Sequence, residues 1–206
     1  RLTIENGTGW TIDHVDFPTV VTPNDLIATG GEPRVFWPAM EGALIEDLDL
    51  REQSYARFQP IEHPHFGWIG LYPSSCPMQF MAYYGKNAGL YLAAHDALSH
   101  PKGIEFHKHA GGGIQLDYRL FPGAVAAPSY TMPYEMVLGV FEGDWYDAAD
   151  IYRTWRDSAA MPRPPRLDRN PALPDWFEKS PVVVTYPVRG QKDMGDMTPN
   201  EYYPYK

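Results

Sequence analysis

Cysteine is almost missing from this chain. Cys76 is the single one in 206 residues, so no intramolecular disulfide can form, and a lone thiol leaves the compartment open, an extracytoplasmic one included. Positive charge is also scarce. Against 26 Asp+Glu there are 17 Lys+Arg, a formal net charge of −9, and neutralising phosphates needs a cationic surface; no nucleic-acid partner is expected. No apolar run approaches the ~20 residues a membrane helix requires, so the expectation is a soluble protein with no membrane partner. The first residues, Arg1-Leu2-Thr3-Ile4-Glu5, lack the charged and apolar regions of a leader, and the start reads as processed or truncated.

What is present is ordinary globular material rich in rings and turns. Hydrophobic residues make up 44% and charged ones 21%, outside the composition of disordered chains. A chain this long buries roughly 70% of its unfolded surface as a single domain, enough for a core without a structural metal. Aromatics reach 14%, with 18 Gly and 21 Pro, which favours short strands joined by turns.

Period two dominates the first part. Met78, Phe80, Ala82 and Tyr84 form one face of a strand, Gly85 to Gly89 supplies turn chemistry, and Leu90 to Ala94 returns, a hairpin pattern. Ile114, Leu116, Tyr118 and Leu120 alternate with polar residues, as does Tyr134 to Phe141 with Glu135 on its outer face. Both read as half-buried antiparallel strands. Further strands are expected at 2–5, 11–17, 43–50 and 66–71, a spacing that implies a sandwich.

At Glu142-Gly143-Asp144 the period changes. Asp144 can cap a helix with Asp147 at its third position, and Trp145, Ala148, Tyr152, Trp155 and Ala159 recur at helical spacing, which suits interface packing. The helix ends before Pro162. The stretch from Met161 to Pro174 is too rich in proline for helix or central strand and reads as a stiff linker. Charge changes here as well: residues 1–150 hold 8 Lys+Arg against 19 Asp+Glu, residues 151–206 hold 9 against 7. Beyond the linker, Val182 to Tyr186 is a continuous β-branched run of the kind a strand covered on both faces shows. A parallel strand without neighbours cannot stand alone, so the chain is expected to stop inside a second domain.

Three segments together resemble a bacterial family of glycoside-hydrolase-like proteins, DUF6259, related to the endo-α-N-acetylgalactosaminidase group. They are residues 78–84 with 89–96, residues 138–155, and Pro174-Asp175-Trp176 ahead of the valine run. The resemblance implies a mainly β fold: an antiparallel galactose-mutarotase-like β-sandwich over 1–143, a linker helix and proline-rich linker over 144–175, and the opening of a catalytic (β/α)8 barrel over 176–206, of which this chain holds the first strand. It also implies a carbohydrate as ligand, with the remainder of the barrel or another chain as partner. Glycoside hydrolysis uses two carboxylates that project from the C-terminal ends of barrel strands; these are expected after Lys206. The parent protein is thus read as a glycoside hydrolase and this chain alone as inactive, with no catalytic residue, metal or cofactor of its own.

Substrate contacts are expected from His95, Asp96 and Lys102, where a sandwich loop would reach the barrel mouth, and from Tyr186, Arg189 and Asp193 after the first barrel strand. Plainer readings stand beside these: Asp96 as a turn former, Tyr186 as barrel core, Arg189 and Asp193 as solvated loop. His63 with His65, and His107 with His109, put two imidazoles on one face of a strand, usable zinc geometry, but no spacing ties the pairs together. Gly111 to Gly113 lack the Lys-Ser/Thr of a phosphate loop. Two rival functions remain: a self-contained carbohydrate-binding module, for which the valine strand has no use, and a mutarotase-like epimerase, which needs a histidine and a carboxylate on one concave face.

Overall fold

The computed structural model describes residues 1–23, 33–39, 42–46, 67–109, 113–122, 129–161 and 165–179. The chain forms two compact units, Arg1–Met161 and Pro162–Lys206. The first contains strands β1 (Thr3–Glu5), β2 (Val15–Thr22), β3 (Arg34–Trp37), β4 (Ala43–Ile45), β5 (Gly67–Tyr72), β6 (Phe80–Tyr84), β7 (Ala88–His95), β8 (Lys102–Lys108), β9 (Ile114–Leu120), β10 (Ser129–Thr131) and β11 (Glu135–Glu142), then helix α1 (Trp145–Ser158). In the second, the described residues hold a 3₁₀ turn, Leu167–Arg169, and a short helix α2 (Asp175–Lys179).

All described strand pairs are antiparallel. They form a five-stranded sheet in the order β11-β7-β6-β3-β4, a four-stranded sheet β2-β9-β8-β5 and the small pair β1-β10. The fold is the mainly β sandwich that the alternation implies. Val35, Met81, Tyr83 and Leu92 of the larger sheet pack against Ile104, Phe106, Leu116 and Tyr118 of the smaller one. The period-two face Phe80, Ala82 and Tyr84 points the other way, into a second cluster with Ala148 and Tyr152 of α1. Strand β6 is buried along its whole length because one face meets a sheet and the other a helix.

Local chemistry sets the element ends. Asp144 accepts a bond from the Tyr146 amide at 2.8 Å while Asp147 accepts one from the Asp144 amide at 2.9 Å, the reciprocal capping box read from the sequence. Gly143 sits at φ +103°, a conformation that glycine adopts without a Cβ penalty. Along α1, Trp145 stacks on Phe36 at 5.9 Å and Tyr152 on Phe80 at 5.0 Å. Pro18 breaks the register of β2 between Asp16 and Thr19; it lacks an amide donor, and β2 lies at a sheet edge, where proline is tolerated.

Three strands, β3, β8 and β10, lie outside the expected ones. Strand β8 hides its character because Lys102, Glu105 and His107 are polar yet buried. Strand β2 runs to Thr22, beyond the expected 11–17. The valine run 182–186, with Tyr186, Arg189 and Asp193, lies outside the described residues, as do His63 and His65. Among the described residues no helix is long and apolar enough to cross a membrane.

Phe80 is fully buried between Phe36, Tyr91 and Tyr152. Phe80→Ala should therefore cost about 3–5 kcal/mol, read as a fall in the urea midpoint, with loss of α1 protection in hydrogen exchange.

Candidate functional site

At one end of the sandwich, β7 leaves its sheet at His95 and the chain turns through Ala97-Leu98 into β8. Successive strand residues point to opposite faces, so His95 and Asp96 part company. Asp96 turns inward and is 1% exposed; Lys102, the first residue of β8, is 0% exposed. The Lys102 ammonium donates to Asp96 Oδ2 at 2.8 Å, Gln79 Oε1 at 2.9 Å and the His100 carbonyl at 2.5 Å, which uses all three of its N–H bonds. The rings of Tyr72 and Tyr134 lie 4.7 and 4.8 Å from it, a cation–π enclosure. Asp96 also accepts from the amides of Leu98 (3.0 Å) and His100 (2.6 Å) and from His100 Nδ1. Burial pushes its carboxyl up, but the bonds from Lys102 and His100 outweigh this and hold it below the ordinary range. Burial draws the Lys102 ammonium down while Asp96 pulls it back.

His95 faces α1 instead. Its ring stacks on Trp155 at 4.5 Å with an 11° tilt, and its Nε2 lies 3.2 Å from the Tyr91 hydroxyl. The three sandwich residues expected to contact sugar thus divide: Asp96 and Lys102 form a closed ion pair in which the carboxylate also builds the turn, and His95 lies half-buried on the other face.

Of a second constellation, only His107 stood out in the sequence. On the face of the four-stranded sheet opposite the core, register places Glu105 across from Asp117, His107 across from Gln115, and Asp16 across from Arg119. Glu105, His107 and Asp117 are all within 2% of full burial. Gln115 donates to Asp117 Oδ2 at 2.7 Å, His107 Nδ1 lies 3.6 Å from the same oxygen, and Arg119 grips Asp16 through two bonds of 2.8 and 3.0 Å while standing 3.9 Å from Glu105. Burial raises the Glu105 carboxyl to about 7, against the opposing pull of Arg119 and with help from Asp117 and Asp16. A carboxyl poised there can give or take a proton near neutrality, and such shifts gather at functional sites. The signal in the sequence was the matched alternation Glu105-x-His107 and Gln115-x-Asp117-x-Arg119; only pairing shows that these polar faces coincide.

Burial pushes the Cys76 thiol up to about 12, which leaves almost no thiolate at neutral pH. Among the described residues no group of three His, Cys, Asp or Glu could hold a metal ion.

These charges set two expected outcomes. Lys102→Met should destabilise by about 3–5 kcal/mol, because it strands a buried carboxylate; adding Asp96→Asn should recover part of that loss in a urea double-mutant cycle. Glu105 is protonated more readily folded than unfolded, so its contribution is complete below its ordinary pKa of 4.5 and declines as pH rises to about 7. Glu105→Gln should flatten that decline when urea midpoints are compared at about pH 5 and pH 8.

The chain matches no curated protein and no solved structure. Residues 130–198, from β10 through α1 and on into the second unit, match the model of the Domain of unknown function (DUF6259) family.

Proposed function

We propose that this chain is the sandwich portion of a glycoside-hydrolase-like protein, supporting and shaping the carbohydrate site of a barrel domain C-terminal to it. The observation that carries this reading is the reach of the family match. It begins in the last strands of the sandwich, includes α1 and extends to residue 198, although the compact unit of the sandwich ends at Met161. A match that runs across that boundary favours a sandwich belonging to a larger protein over a self-contained binding module. In this reading the Asp96–Lys102 pair makes the sandwich end rigid, and sugar contacts fall to Tyr186, Arg189 and Asp193. The purified chain is expected to turn over no aryl glycoside; turnover abolished by a substitution within residues 1–206 would refute this assignment.

Glu105 favours a second reading, a sugar epimerase. Interconversion of anomers needs one group to take the anomeric hydroxyl proton and another to protonate the ring oxygen, after which the ring recloses on the other face and both protons return. Glu105 near neutrality beside His107 and Asp117 is a suitable set. These groups are closed to solvent here, so the reading requires that face to open, which is why it stands second. Acceleration of aldose mutarotation above the buffer rate, with a pH dependence centred near 7 and lost in Glu105→Gln, would establish it.

A further inference from the structure

We propose that His95 is a pH-sensitive latch that holds the C-terminal half of α1 against β7. The geometry is specific. Asp96, fixed by its bonds to Lys102, Leu98 and His100, anchors the backbone at the end of β7 next to the imidazole. The ring then lies nearly parallel to the Trp155 indole at 4.5 Å, and its Nε2 meets the Tyr91 hydroxyl. Burial raises the Tyr91 phenol far above neutrality, so the hydroxyl keeps its proton and donates to a neutral Nε2. A proton added at Nε2 sets N–H against O–H, and the phenol must turn its hydrogen away within a packed aromatic cluster where Tyr91 also stacks on Phe80.

Other charged or titratable groups lie on the elements packed around the same ring. Glu135 lies directly across from His95 on β11, and its carboxylate favours the imidazolium; Arg1 lies 3.9 Å from Glu135. From α1 come Tyr152, whose ring lies 5.3 Å from Trp155, and Arg156, the residue after Trp155. Burial is the larger influence and lowers the His95 pKa from its ordinary 6.5, with Glu135 opposing. The latch is therefore at full strength above pH 6.5 and weakens as pH falls below it, because the released ring binds a proton more readily than the stacked one. What loosens is the last part of α1, immediately ahead of Met161, where the first unit ends. The helix as a whole remains seated by Trp145, Ala148 and Tyr152.

The test is amide hydrogen exchange over residues 152–158 at about pH 7.5 and pH 5, corrected for intrinsic exchange. The wild-type chain should show roughly a threefold or greater rise in opening at the lower pH, and His95→Gln, which keeps a polar group without a titration in this range, should show none. An equal rise in His95→Gln, or a flat wild-type response, overturns the latch. If His95→Gln does not retain α1 by circular dichroism, the wild-type ring resonances decide: a His95 midpoint below 6.5, shared by the Trp155 indole signal and moved lower still by Glu135→Gln, supports the latch. A midpoint at or above 6.5, or an indole that does not track it, refutes it.

Discussion

An ammonium group closed off from water must find three acceptors inside the protein, and the architecture at one end of this sandwich is arranged around meeting that demand for Lys102. The three it finds come from Asp96, Gln79 and the His100 carbonyl. Gln79 is itself fully buried. Its amide donates to the Asp96 carbonyl and its own carbonyl accepts from Tyr118, while the Tyr152 hydroxyl of α1 lies close enough to be influenced by it. One glutamine therefore meets both sheets and the helix. Burying a charge costs more than its partner returns in many proteins. Its effect here is to specify one register and one turn, since a one-residue slip of β8 would put the ammonium on the opposite face.

The larger sheet is the middle layer, which accounts for its composition. With a sheet on one side and a helix on the other, both faces of β6 and β7 must be apolar or have their polar atoms bonded. Cross-layer hydrogen bonds keep the layers aligned: the Trp37 indole N–H donates to the Ile104 carbonyl at 3.0 Å, and the Tyr118 hydroxyl reaches the carbonyls of Gln79 and Leu92. Large rings with one polar end suit this position, because they fill the inter-sheet volume and still satisfy a buried backbone acceptor.

The outer face of the smaller sheet obeys a different logic. Glu105 and Asp117 oppose each other, a destabilising arrangement for two ionised carboxylates, and Arg119 divides its charge between Asp16 at bonding distance and Glu105 at 3.9 Å. Such an arrangement is tolerated when one carboxyl holds its proton, the condition that burial imposes on Glu105. The polar face and the closed lysine pair thus present contrasting uses of buried charge. In one the bonds are complete and the group serves the fold; in the other protonation stays adjustable near neutrality.

Much of the fold was legible in local pattern. The β6–β7 hairpin, the alternation of β9 and β11, and the capping box with the aromatic stripe of α1 depend on residues close in sequence, whose period and turn chemistry act without tertiary help. The absence of a disulfide and the scarcity of positive charge were equally plain. Strand β8 was not, because polar residues at 102, 105 and 107 look solvated until their partners, Gln79 and Asp96 beside β6 and β7 and Asp117 and Arg119 on β9, are known. Nor could spacing show that Lys102 would be enclosed between Asp96, Gln79 and the rings of Tyr72 and Tyr134. Adjacency is a property of the sequence, whereas burial and electrostatic environment belong to strands brought together from distant positions, and here those contacts decided which charges face water and which hold the structure.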